Sequence, residues 1–165
     1  MWIYLLRHGA AQEPRLGLAD EDRALTEAGQ AQLEAASGAW CRAVRTPNIV
    51  WCSPFVRARE TAKVFMQAVE AQSSPQVDAA LTPSGDPAYA VTLLEGEMLA
   101  RTEAVAVVGH EPHLGYLLGA LMTGQQRLSV PLQTGMLVGL KVTGTTTIHA
   151  ELRFALSHQA AARLT

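Results

Sequence analysis

A chain of 165 residues with 48% hydrophobic and 17% charged residues has the composition of a folded protein, long enough to bury a core, and not that of a disordered one. Its formal charge of -2 excludes a broad nucleic-acid-binding surface, so any anion site must be local. The whole chain, 1–165, is expected to form a single domain, without repeats or linkers.

The first element is the apolar run Trp2-Ile3-Tyr4-Leu5-Leu6, read as a buried strand that delivers Arg7-His8-Gly9 at its carboxyl end. A polar, turn-rich loop from Ala10 to Ala24 follows. Thr26 then caps a helix running to about Val44, with Leu33, Ala36 and Trp40 as its apolar stripe. Asn48 to Cys52 is a second strand. Ser53-Pro54 reads as an N-cap followed by proline at the first helical position, opening a helix to about Ala71. Val77 to Leu81 is a third strand, Thr82-Pro83-Ser84-Gly85 a turn, and Asp86-Pro87 the start of a helix to about Arg101. Val105 to Val108 is uniformly apolar, as a central strand must be, and ends in Gly109-His110. A helix from about Pro112 to Met122 is expected next, then a hairpin of Met136 to Val142 and Thr146 to Phe154, in which Ile148, Ala150, Leu152 and Phe154 share one face. The tail from Ala155 carries no clear signal. This alternation predicts an α/β fold, a three-layer αβα sandwich around a mostly parallel sheet.

Three of the predicted loops follow buried strands and carry cationic or polar chemistry: Arg7-His8-Gly9, Ser53 to Arg57, and Gly109-His110. In open α/β sheets, ligands bind outside the carboxyl ends of the strands. If these strands are neighbours, two arginines, two histidines and a helix N-terminus converge. That set suits a phosphoryl group. Guanidinium forks match its oxygens, a helix N-terminus favours anions, and a histidine can attack phosphorus.

In these segments the chain resembles the histidine phosphatase superfamily, the one that includes the phosphoglycerate mutases. The resemblance is carried by Leu6-Arg7-His8-Gly9, by Arg23-Ala24-Leu25-Thr26 with Gly29, by Ser53-Pro54-Phe55-Val56-Arg57-Ala58 with Thr61, and by Gly109-His110. Leu81-Thr82-Pro83-Ser84-Gly85-Asp86 and the small size make it most similar to the SixA-type phosphohistidine phosphatases. The resemblance implies a phosphoglycerate mutase-like fold and a metal-independent phosphatase without cofactor. His8 would be the nucleophile that accepts the phosphoryl group. Arg7, Arg57 and His110 would bind its oxygens and stabilise the transition state, with Arg23 in support or on the substrate. Positive charge around His8 should keep its ring neutral, and only the neutral ring is nucleophilic.

One departure bears on the substrate. Many superfamily members place a carboxylate just after the third strand to protonate an alkoxide leaving group. This chain has Thr82 and Ser84 there, with Asp86 a little later; Glu111 comes only after the fourth strand, next to His110. Imidazole leaves phosphorus far more readily than an alkoxide, so a phosphohistidine on a protein, such as a signalling phosphotransfer domain, fits best. A small phosphorylated metabolite, with Asp86 or Glu111 as acid, is the alternative within enzymes. A phosphoryl-binding module without turnover is the alternative outside them.

Other features read as structural. Arg59 and Lys63 lie off the face of Arg57 and read as solvated; His149 and His158 fall on a polar strand face and in the tail. His110-Glu111-Pro112-His113 lacks the helical spacing of a metalloprotease pair and offers no third ligand, so no metal site is expected. Cys41 and Cys52 are too few for a disulfide framework; a reduced cytoplasmic setting is expected, with one bridge between them left open by sequence. No segment reaches the roughly 20 apolar residues needed to span a bilayer, and the N-terminal run is short for a secretory signal.

Overall fold

The computed structural model describes residues 1–125, 127–144 and 147–164. Its centre is a six-stranded sheet in the order β3-β2-β4-β1-β5-β6. Strands β1 (Trp2–Arg7), β2 (Ile49–Cys52), β3 (Gln76–Val77) and β4 (Ala104–Gly109) run parallel, while β5 (Leu137–Val142) is antiparallel to both β1 and β6 (Ala150–Leu156). The sheet is therefore mostly parallel, as expected.

Helices cover both faces. On one side α1 (Glu27–Ala43), α2 (Val56–Ala68) and α5 (His158–Ala162) bury Leu33, Ala36, Trp40, Ala62, Phe65 and Ala161 against Tyr4, Leu6, Val50, Cys52 and the even-numbered residues of β4. On the other, α3 (Pro87–Leu99) and α4 (His113–Thr123) bury Ala90, Leu94, Leu114, Leu117 and Leu121 against Ile3, Leu5, Val105 and Val107. All six residues of β4 are buried, which explains why that strand reads as an unbroken apolar run and not as an alternation. Cys52 is buried, Cys41 exposed, and both thiols are free.

Several boundaries differ from the sequence expectation, each for a local reason. Ser53 does not cap α2: helical geometry begins at Val56 after Phe55, and the Ser53 hydroxyl instead accepts from the Phe55 amide and meets His110. The third strand stops at Val77, because the Asp78 carboxylate accepts from the Ala80 amide and bends Ala79–Leu81 into a 3-10 turn. In the terminal hairpin a register shift between Gly139 and Leu140 skips Arg153, which leaves Leu152 46% exposed although Phe154 still packs on the core. Thr146, the predicted first residue of that strand, lies outside the described residues. The tail that carried no signal extends β6 to Leu156 and then forms α5, capped by Ser157.

The order β2-β4-β1 matters most for function. It sets the carboxyl ends of three consecutive strands of the sheet side by side, so residues 7–9, 53–57 and 109–110 share one edge. The exit from β1 is held especially closely. Thr26 donates its amide to the Ala10 carbonyl and caps the Gly29 amide, while a Cβ on Gly29 would sit 2.1 Å from the Ala10 oxygen. Only glycine lets the loop lie this close to the first turn of α1.

Candidate active site

His8 is fixed by its backbone before its side chain is considered. Its amide donates to the Gly109 carbonyl at the end of β4, and its carbonyl accepts from Gly135 on the loop before β5. The next amide, that of Gly9, donates to Thr61 Oγ1, and Thr61 in turn donates to the Arg57 carbonyl on α2. The strand carrying the histidine and the helix carrying the arginine are thus joined by one buried threonine.

The His8 ring lies with Nδ1 2.7 Å from the Gly9 carbonyl oxygen. A carbonyl can only accept, so Nδ1 carries the hydrogen and Nε2 keeps its lone pair. Arg57 Nε points at that nitrogen from 3.4 Å. The His110 ring stands 4.9 Å from the His8 ring, centre to centre, and its Nε2 lies 2.7 Å from Ser53 Oγ. Phe55 packs edge-on against His110 at 5.0 Å and lies under the Arg57 guanidinium at 4.9 Å, so one aromatic ring supports both. Arg7 Nη1 donates to the Leu132 carbonyl at 2.7 Å.

The structure therefore gathers Arg7, His8, Arg57 and His110 as the sequence predicts. Arg23 belongs to the same group through a residue that sequence reading passed over. The Asp20 carboxylate receives Arg23 Nη1 at 2.6 Å and Arg57 Nη2 at 2.9 Å, and the Asp20 carbonyl accepts from Arg57 Nη1. Asp20 stands three residues before Arg23 in an acidic 3-10 turn, Asp20–Asp22. That spacing was the available signal, hidden in a segment read only as polar loop.

Two buried polar atoms of the cluster, Arg7 Nε and His110 Nδ1, have no hydrogen-bond partner among the described residues. Buried donors and acceptors of folded proteins are nearly always paired, at a cost of about 1–3 kcal/mol when they are not. An anion with several oxygens would pair them. No side chain caps α2, so the positive end of its dipole also lies on this edge.

Electrostatics set the protonation states. Burial lowers the His8 pKa from 6.5 to about 4, with Arg57, Arg7 and Arg23 adding to the effect and the Gly9 carbonyl opposing it. Burial lowers His110 to about 3, aided by His8 and Arg57 and opposed by Asp20. Desolvation is thus the larger cause and arginine charge the smaller, the reverse of the emphasis drawn from sequence. Both rings are neutral at neutral pH. Because each folded-state value lies below the unfolded one, stability from these rings is complete above 6.5 and is lost as pH falls through about 4 for His8 and about 3 for His110. In an NMR titration, the Cε1–H resonances of both rings should remain those of neutral imidazole at 6.5 and move only well below it. A His8 midpoint close to 6.5 would show the ring to be solvated and the pocket open.

The carboxylates considered as proton donors are occupied elsewhere. Asp86 caps α3 by accepting from the Ala88 amide at 2.9 Å, and Glu111 Oε1 accepts from the Leu132 amide at 3.0 Å. His113 is buried at the start of α4, with the Asp86 backbone nearby but neither ring nitrogen in hydrogen-bonding geometry. Arg59 and Lys63 are exposed, as expected; they line a cleft of about 620 Å³ on the outer side of α2 that none of the clustered residues enters.

Comparison with known proteins agrees with this geometry. A family model described as the histidine phosphatase superfamily (branch 1) matches residues 3–82. An uncharacterized protein of Picosynechococcus sp. is 30% identical over 141 residues, which cover 86% of this chain and 85% of that one. Phosphohistidine phosphatase SixA of Escherichia coli K12 is 29% identical over 126 residues, 76% of each chain. The solved structure of a protein histidine phosphatase SixA complexed with tungstate superposes with a TM-score of 0.85, covers both chains completely and is 24% identical.

Proposed function

Because the chain belongs to the histidine phosphatase superfamily, we propose that it is a phosphatase working through a covalent phosphohistidine on His8, with phosphohistidine on a protein as its substrate. The observation that carries the catalytic part is the His8 ring itself: Nδ1 held by the Gly9 carbonyl, which leaves Nε2 unprotonated, its lone pair facing Arg57 Nε at 3.4 Å.

In the first step His8 Nε2 attacks phosphorus and the bond from phosphorus to the substrate nitrogen breaks. The departing imidazole keeps the electron pair and takes a proton from solvent. Arg7, Arg57 and His110 bind the three equatorial oxygens, where charge is spread in the transition state. Arg7 Nε and His110 Nδ1 are the atoms whose pairing this would complete. In the second step water attacks phosphorus, the bond to Nε2 breaks and orthophosphate leaves. Arg23 supports the pocket from the side of the loop before α1. No metal or cofactor takes part in this scheme.

The substrate choice rests on the leaving group. Asp86 and Glu111 are both engaged by backbone amides, so neither is poised to protonate an alkoxide. The 29% identical SixA, a phosphohistidine phosphatase by name, supports the same class. A cytoplasmic setting is part of this proposal; no helix of the described residues is long and apolar enough to cross a membrane. An assay panel at neutral pH, with chelator present, should rank a phosphohistidine phosphotransfer protein above a phosphoserine peptide and sugar phosphates by at least about 100-fold in kcat/KM, or some 3 kcal/mol in barrier. A higher value on a sugar phosphate would assign the site to small-molecule hydrolysis.

A further inference from the structure

We propose that Asp20 is a positioning residue for phosphoryl transfer, acting through Arg57. The inference rests on the phosphatase reading above and concerns a residue outside every motif that carries the family resemblance. Three of the nitrogen atoms of Arg57 are engaged. Nε faces His8, Nη1 donates to the Asp20 carbonyl, and Nη2 donates to the Asp20 carboxylate at 2.9 Å. Backbone and side chain of one residue thus hold the outer edge of the guanidinium at two points. A planar fork gripped at two points cannot rotate about its own axis, so its Nε–H stays directed at the His8 side of the pocket.

The geometry separates Asp20 from its neighbours. The Arg57 side chain is 5% exposed and that of Asp20 is 53% exposed, so the clamp closes the pocket from the solvent side. The same carboxylate holds Arg23, whose Nε donates to the Gln12 carbonyl, and this ties the loop before α1 to α2. Glu21 and Asp22 complete the same turn but are exposed, and neither contributes to this clamp. Asp20 is not a proton donor. Its partial burial would raise the carboxyl pKa, but the bonds from Arg23 and Arg57 outweigh this and hold it below the usual carboxylate range. Nor does it touch His8. What it can do is fix where a long, flexible cation presents its hydrogen.

The test uses the full chain with phosphoramidate as substrate and orthovanadate as the oxyanion probe. Asp20→Ala should lower kcat about tenfold or more and weaken orthovanadate, while Asp20→Asn, which keeps an acceptor, should fall between it and the native protein. Asp22→Asn should match the native protein. In an Arg57→Lys background, Asp20→Ala should cost less than about twofold further, because the group it positions is gone. An equal loss in both backgrounds would make the role merely structural and overturn the proposal. Tighter orthovanadate binding by Asp20→Asn would also overturn it, showing that the carboxylate competes with phosphoryl oxygens. Absence of turnover in the native protein would remove the phosphatase reading and the clamp with it; native turnover with unchanged Asp20 variants would remove the clamp alone.

Discussion

His8→Ala should abolish turnover, lowering kcat on phosphoramidate or a phosphohistidine protein by at least about 10⁴-fold, because the ring that accepts the phosphoryl group in this scheme is gone. The loss should be chemical and not structural. His8 is held mainly by its backbone, through Gly109 and Gly135, and those bonds survive removal of the ring. Thermal stability should therefore stay near that of the native protein, and orthovanadate should still bind through Arg7, Arg57 and His110. Steady-state kinetics and isothermal titration of the variant check both halves. Activity within tenfold of native would mean that His8 is not the nucleophile. If the native protein itself bound phosphopeptide without turnover, the binding-module reading would replace the enzyme.

The second large effect is expected at Arg57. Arg57→Ala should lower kcat/KM about 10³-fold, the scale at which a single transition-state donor or arginine acts in comparable chemistry. Lysine should not restore it. An ammonium can supply charge near the phosphoryl oxygens, but it cannot present Nε–H to His8 while its other nitrogens hold Asp20. Arg57→Lys is expected to recover no more than about tenfold of the loss. Full recovery would show that Arg57 acts as a point charge only. Stability should change little, because Asp20, the partner left behind, is half exposed and readily solvated.

Much of this site is legible in the sequence because its parts sit immediately after strands. A short apolar run followed by Arg7-His8-Gly9, and another followed by Gly109-His110, state both the element and the position of the side chain relative to the sheet edge. Adjacency of the loops depends on the strand order, which the sequence does not state; the sheet supplies it by placing β4 between β2 and β1. The pairing of Asp20 with Arg57 was not legible, since the two are 37 residues apart and only the path of the loop brings them together; the three-residue spacing to Arg23 pointed to Arg23 alone. The Ser53 error has a different origin. Serine followed by proline is a sound capping signal, but here the hydroxyl also meets His110, and the helix begins beyond it. Helix α5 has a capping serine and three alanines, but at five residues it is too short to be stable alone and is held by packing on α1, so the local signal was easily passed over.

The central claim is that phosphorus passes through Nε2 of His8. Brief reaction with a ³²P-labelled phosphohistidine protein, an alkaline quench and mapping of the labelled peptide test it directly. The account predicts an acid-labile phosphate on the peptide containing His8. The attached atom should be Nε2, because Nδ1 is committed to the Gly9 carbonyl. Label on Nδ1, label on another residue, or rapid turnover with no labelled enzyme would contradict it.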